Sequence, residues 1–169
     1  MLSLFSALLP AALAVAAATD LLTMKIPNGI PLALILCFFP VAALAGMAPM
    51  QIVMAVAAAL AVFSACFALF ATGVMGGGDA KLLTATALWF GLNSSLVEYL
   101  VLVAFAGGLL TLIILVLRWR ADMILAIGLR LPHSLVGAKK VPYALAIAAG
   151  GILSWSHSPL FTLLMQPAL

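Results

Sequence analysis

Apolar residues run through this chain in long blocks, broken by short polar or Gly/Pro-bearing connections. Residues 2–22, 30–44, 51–72, 79–89, 96–117 and 141–155 form these blocks, and few charges fall within them. Helices of about 20 apolar residues cross a bilayer's hydrocarbon core. Strands of a membrane barrel would alternate over segments of about ten residues, and no such alternation occurs. The pattern therefore predicts an all-α polytopic membrane bundle of about six transmembrane helices. One integral membrane domain over residues 1–169 is expected, because no polar stretch is long enough for a second.

Local punctuation predicts the helix ends. Pro10 should kink or break the first helix. Pro27 and Asn28-Gly29 stop any helix in the first connection, and Asn28 is placed to cap the second helix. Pro31 is tolerable in a first turn, whereas Pro40 should bend the second helix. Gly76-Gly77-Gly78 tolerates positive φ and permits close approach of another segment. Gly107-Gly108 offers a notch for helix packing. Residues 118–140 form the one longer excursion. Within it, residues 123–131 are apolar but too short to span, which suits a surface-lying helix. The tail, 159–169, reads as a partial seventh helix or an interfacial segment. The first 19 residues end in small side chains but lack the basic start of a signal peptide, so they are taken as the first membrane helix.

Composition strengthens the membrane reading. The chain is 67% hydrophobic and 7% charged, with a mean hydropathy of +1.38; soluble domains carry about 25% charged residues. The net charge of +3 reports orientation rather than nucleic-acid binding. Lys25, Lys81, Arg118, Arg120, Arg130, Lys139 and Lys140 all fall in the 1–2, 3–4 and 5–6 connections. The positive-inside rule makes those loops cytoplasmic and puts the N-terminus outside. Trp89, Tyr99 and Trp155 would then mark the outer interface, and Trp119 the inner one. Cys37 and Cys66 lie within apolar blocks and read as core residues; no CxxC pair suggests a zinc ribbon.

The candidate chemistry rests on four acids, Asp20, Asp79, Glu98 and Asp122. A carboxylate at bilayer depth is costly and marks a functional position by default. The expected topology puts Asp20 and Asp79 at one depth on one side, and Glu98 on the other. Two carboxylates in contact cannot both ionise near neutrality. Such a pair can draw a proton from water while polarising a carbonyl, as an aspartic protease requires. Helix capping, or pairing with Lys25 and Lys81, is the alternative that spacing alone leaves open. Asp79 opens a helix and Asp20 closes one, so the helix dipoles favour Asp79 as ionised base and Asp20 as protonated acid.

Other polar residues have plainer readings. Asp122 stands at i+4 from Arg118, a surface pair. Glu98 reads as a solvated interfacial acid. Lys81 is a membrane anchor or a ligand for substrate or lipid phosphate. His133 and His157 lie in separate loops, so a joint metal site is not expected.

Two motifs sharpen this picture. Asp20 followed by Ile26-Pro27-Asn28 resembles the Asp-x5-Ile-Pro-Asn signature of the type IV prepilin peptidases. Gly76-Gly77-Gly78-Asp79-Ala80-Lys81-Leu82 resembles their Gly-x-Gly-Asp-x-Lys-Leu motif, and Val141-Pro142-Tyr143-Ala144 is similar to a recurrent Ile-Pro-Tyr-Gly/Ala stretch. The resemblance implies an aspartic membrane endopeptidase with Asp20 and Asp79 as catalytic residues and no need of an organic cofactor. Pro27, Asn28, Gly76, Gly77, Gly78 and Lys81 would support them. It implies a prepilin substrate, a transmembrane helix with a basic leader, cut after a glycine at the cytoplasmic face. It further implies a bacterial inner-membrane location, with the lipid bilayer and pilus assembly machinery as partners. Longer members carry a cysteine-bearing insertion between the first helices and also N-methylate the product. Here only the MKIPNG stretch occupies that place, which resembles the short, peptidase-only branch serving Flp/Tad pili. A proton-coupled transporter is the alternative, and it would favour acids near mid-membrane. A non-catalytic subunit of a secretion assembly is a third.

Overall fold

Helices begin and end close to the punctuation. The computed structural model describes residues 2–120 and 141–166. A 3-10 turn, Leu2–Ala7, leads into α1, Leu8–Thr23. Pro10 falls in the first turn of α1, where its missing N–H has no helical acceptor to serve, so the expected kink becomes a helix start. Met24 then takes a left-handed φ of 55° and donates its N–H to the Asp20 carbonyl, closing α1. There follow α2, Gly29–Leu44, α3, Pro49–Ala71, α4, Gly77–Phe90, and α5, Ser94–Trp119. Asn93 caps α5 by accepting from Ser95 N–H at 2.8 Å. After the excursion come α6, Ala144–Ser154, its 3-10 extension Trp155–His157, and α7, Pro159–Met165. The described residues contain no strand. The expected 123–131 helix, the Arg118–Asp122 pair, Arg130, His133, Lys139 and Lys140 lie outside them.

Among the described residues, three helical stretches are long and apolar enough to cross a membrane: Leu4–Thr23, Pro49–Ala71 and Ser94–Trp119. Gly29–Leu44 and Ala144–His157 are apolar but shorter. The 14 residues of α4 fall well below the roughly 30 Å hydrocarbon thickness at 1.5 Å per residue. This short helix is the most enclosed, with Leu82, Leu83 and the run from Ala85 to Phe90 buried. The long α3 and α5 present apolar side chains outward, including Phe63, Phe67, Phe105 and Leu112. That is the surface expected of an all-α membrane helical bundle.

Two packing centres hold the bundle. In one, α6 lies between α1 and α5. A Cβ on Gly150 would meet the Val103 backbone nitrogen at 2.8 Å, and one on Gly151 would meet Leu13 Cδ1 at 2.5 Å. Glycine is required at position 150, where the obstacle is the backbone of α5; at position 151 a side chain would need the Leu13 methyl to move. In the other, α4 packs on α2 and α3.

The aromatic residues overturn one expectation. Trp89, Tyr99 and Trp155 are buried in the protein core instead of anchoring an interface. Trp89 is 0% exposed and donates Nε1–H to the Leu34 carbonyl at 3.1 Å. Its ring meets Phe38 and Trp155 edge-on, at 6.0 and 5.9 Å between centroids. Phe90 stacks on Tyr99 at 4.6 Å. Trp155 donates Nε1–H to the Ser6 carbonyl at 2.7 Å. Backbone acceptors satisfy both indoles, so neither needs the headgroup region. Trp119, by contrast, is 80% exposed. Trp89→Ala is expected to cost about 3–5 kcal/mol of stability, read as a lowered denaturation midpoint in detergent. A loss below about 1 kcal/mol would deny this cluster its core role.

Glu98 also departs from expectation, since it is partnered. His157 Nδ1 lies 2.8 Å from Glu98 Oε1, linking the start of α5 to the turn after α6. The tail takes the helical alternative: α7 buries Leu160 and Leu164 and packs on the N-terminal 3-10 turn. Both cysteines are free thiols, Cys66 buried and Cys37 half-buried.

Candidate active site

The contacts sort into two ends of the bundle. The Glu98–His157 pair and the Trp155–Ser6 bond lie at one. At the other meet the end of α1, the start of α2, the end of α3 and the starts of α4 and α6. Both candidate aspartates are there.

Asp20 occupies the last turn of α1 and is 6% exposed. A buried carboxyl needs a hydrogen-bond partner. Ala144 supplies one, donating its backbone N–H to Asp20 Oδ2 at 3.1 Å. This bond ties the first helix to the first residue of α6. Asp79 lies half-buried in the first turn of α4, after an extended Gly76 with φ −71° and ψ 142°.

The glycine run is explained by clearance rather than by φ. Positive φ occurs at Gly46, Gly73 and Gly91, and at none of the three motif glycines. The Asp79 carboxylate folds back over Gly76, where a Cβ would meet Oδ2 at 2.7 Å. A Cβ on Gly77 would meet the Phe70 ring at 3.2 Å, and one on Gly78 would meet Ile26 Cβ at 3.3 Å. Ile26 belongs to the Ile-Pro-Asn stretch. The two motifs thus meet backbone to side chain, and the missing side chain at Gly78 permits it.

Asn28 does not cap α2. It stands at the N-cap position in an αR conformation without a side-chain cap bond. Its Oδ1 instead accepts from Lys81 Nζ at 3.0 Å. This exposed bond is a second tie between the first connection and α4, and it gives Lys81 a partner that spacing alone does not suggest. Pro27 is exposed beside it, and its carbonyl accepts from Ile30 N–H at 3.1 Å.

Asp20 and Asp79 line one cleft of about 330 Å³, together with Lys25, Ile26, Asn28 and Val141. A second cleft of about 490 Å³ shares Gly76, Asp79 and Val141 with the first, and continues past Leu69, Met75, Thr111 and Tyr143. Asp79 therefore stands at a junction of two cavities, the first more polar in its side chains. The two cavities, about 330 and 490 Å³, together offer space around Asp79 that is open to a ligand of several residues. Among the described residues, no three His, Cys, Asp or Glu side chains converge as a metal-binding group.

Tyr143, in the Val-Pro-Tyr-Ala stretch, also reaches this end of the bundle. It is half-buried in the 490 Å³ cleft, its phenol set against Gly107 of α5. A phenol ordinarily titrates at about 10, so its hydroxyl is a protonated donor throughout the neutral range. Nothing in the spacing of the chain reveals this placement; the Val-Pro-Tyr-Ala motif was the one available signal.

No curated protein and no solved structure matches the chain. A sequence model described as the type IV leader peptidase family matches residues 7–116, a stretch that includes Asp20, the Ile-Pro-Asn loop, the glycine run and Asp79. With most of its length matched, and with both motif regions meeting at one end of an all-α membrane bundle, the chain belongs to the type IV leader peptidase family.

Proposed function

We propose that this peptidase cleaves the leader of Flp/Tad-like prepilins after a glycine, at the cytoplasmic face of the bacterial inner membrane, using Asp20 and Asp79 to activate water. One observation carries the reading. Two aspartates from distant parts of the chain line one cleft, at the end of the bundle that also holds Lys25, Lys81, Arg118 and Arg120. The positive-inside rule turns that end toward the cytoplasm, where a prepilin's charged leader meets its transmembrane helix.

In this mechanism Asp79 is the base. It lies in the first turn of α4, where the helix dipole favours a negative charge; Asp20 lies in the last turn of α1, where the dipole opposes one. The single amide donor from Ala144 offsets part of that opposition. The ionised Asp79 takes a proton from water as its oxygen attacks the scissile carbonyl carbon. Asp20 gives its proton to the carbonyl oxygen, forming a neutral tetrahedral diol. Collapse of the diol breaks the C–N bond: Asp20 takes back a hydroxyl proton as the carbonyl re-forms, and Asp79 gives its proton to the leaving amine, which restores both acids to their starting states. No cofactor enters these steps.

The short connection between α1 and α2 supports assignment to the peptidase-only branch, without N-methylation. Placement of both acids at helix ends argues against a proton-coupled transporter, which gathers its sites at broken helices near mid-membrane.

The test is co-expression with a tagged Flp-type prepilin in a host lacking other leader peptidases. A shortened product whose new N-terminus follows a glycine and is unmethylated is the expected result. A precursor that stays full length, with the peptidase inserted and folded, overturns the reading.

A further inference from the structure

We propose that Tyr143 is a third catalytic group, its phenol hydroxyl donating a hydrogen bond to the carbonyl oxygen of the scissile peptide beside Asp79. The inference rests on the aspartic mechanism proposed above and adds to it a group outside the matched family region.

Three features of the fold converge on this residue. The turn at 142–144 serves both acids. Its Ala144 N–H is bonded to Asp20 Oδ2 at 3.1 Å, while the preceding side chain, Tyr143, shares a cleft wall with Asp79. The turn thus connects the residue that carries the phenol to the buried acid through one backbone hydrogen bond. Second, α5 is cut away to receive the phenol. A Cβ on Gly107 would collide with the Tyr143 hydroxyl and its ring carbon Cζ, whereas a Cβ on the adjacent Gly108 would meet nothing within 4 Å. The clearance exists on the Tyr143 side. Third, the cleft that Tyr143 enters joins the one lined by both aspartates through Gly76, Asp79 and Val141.

The chemistry suits a neutral donor. When water attacks, negative charge builds on the carbonyl oxygen close to an ionised Asp79. A fixed hydrogen bond to that oxygen lowers the barrier most where water is excluded. A phenol supplies the bond without a cation that would itself pair with Asp79. A carbonyl oxygen has two lone pairs, so it accepts from both Asp20 and Tyr143, two groups tied to the same turn.

A packing role alone would need only the ring. Tyr143→Phe keeps the ring against Gly107 and removes one oxygen. With purified peptidase in detergent and a prepilin peptide, this variant is expected to lower kcat by about 100-fold while KM stays within about threefold. Its thermal midpoint should match wild type. Gly107→Ala, on a different helix, intrudes on the same hydroxyl and should lower kcat similarly. A Cβ there also meets the ring at Cζ and Cε2, at 2.5 and 2.7 Å, so in the Tyr143→Phe background it should still lower the thermal midpoint, while kcat per folded molecule falls little further because the donor is already gone. Wild-type kcat in Tyr143→Phe, or undiminished kcat in a folded Gly107→Ala, overturns the inference. So does a loss from Gly107→Ala in the Phe background as large as its loss in wild type, which would mark a purely structural effect. Asp79→Asn is run alongside. If it is inactive while Tyr143→Phe is normal, the aspartic mechanism survives without the tyrosine; if it is active, both fall.

Discussion

Asp20→Asn and Asp79→Asn are each expected to reduce prepilin cleavage by at least about 10³-fold, while leaving the amount of folded, inserted protein unchanged. Asparagine keeps the shape of the carboxylate. At position 20 its amide oxygen can still accept from the Ala144 N–H, so the tie between α1 and α6 survives. What disappears is the ability to hold or release a proton. The double variant should be no slower than the slower single one, since groups acting in one step lose their effects together rather than additively. Processing is measured by the size shift of a tagged prepilin, and folding by the thermal midpoint in detergent. Residual cleavage above about a tenth of wild type in either variant would remove that residue from the chemistry.

Gly78→Val should produce the second large effect, of a different kind. A Cβ at position 78 already comes to 3.3 Å from Ile26 Cβ, and the branched side chain of valine needs more room. The Ile-Pro-Asn loop must move away from the first turn of α4. Both ends of that contact adjoin the cleft lined by Asp20 and Asp79. A displacement near 1 Å in a positioned site costs about 100-fold in rate, and overpacking a close contact costs about 1–3 kcal/mol. The expected result is turnover lowered by about 100-fold with a modest fall in the thermal midpoint. Gly78→Ala should lie between, since Ile26 can yield a few tenths of an ångström. Ile26→Ala in the Gly78→Val background is expected to restore part of the activity by reopening the space. A Gly78→Val enzyme with full activity would mean that the contact between the motifs does not set the site.

How much of this was legible beforehand follows from the kind of interaction involved. The helices were readable to within a few residues. Each is an unbroken apolar block, and a membrane admits little else in that length. The aspartates were readable because a carboxylate at a hydrocarbon boundary is expensive in any fold. Their joint place at one end followed from counting helix reversals. Pro10 was misread because a proline that breaks a helix and one that starts it look alike until the first turn is located. Trp89 and Trp155 were misplaced for a similar reason. An indole is amphipathic, and it suits the interface or the core according to whether a carbonyl is available inside. The acceptors, Leu34 and Ser6, lie far away along the chain.

Residue order alone carried the class of the molecule, the extent of its helices and the unusual position of Asp20 and Asp79 at helix ends, because bilayer solvation penalises individual residues and blocks without reference to their neighbours. The folded arrangement was needed to show why three glycines precede Asp79, that Asn28 faces Lys81, that Ala144 holds Asp20 and that Tyr143 lines the Asp79 cleft. Those are clearances and hydrogen bonds between segments remote in the chain, and their energies depend on distances that no local pattern encodes.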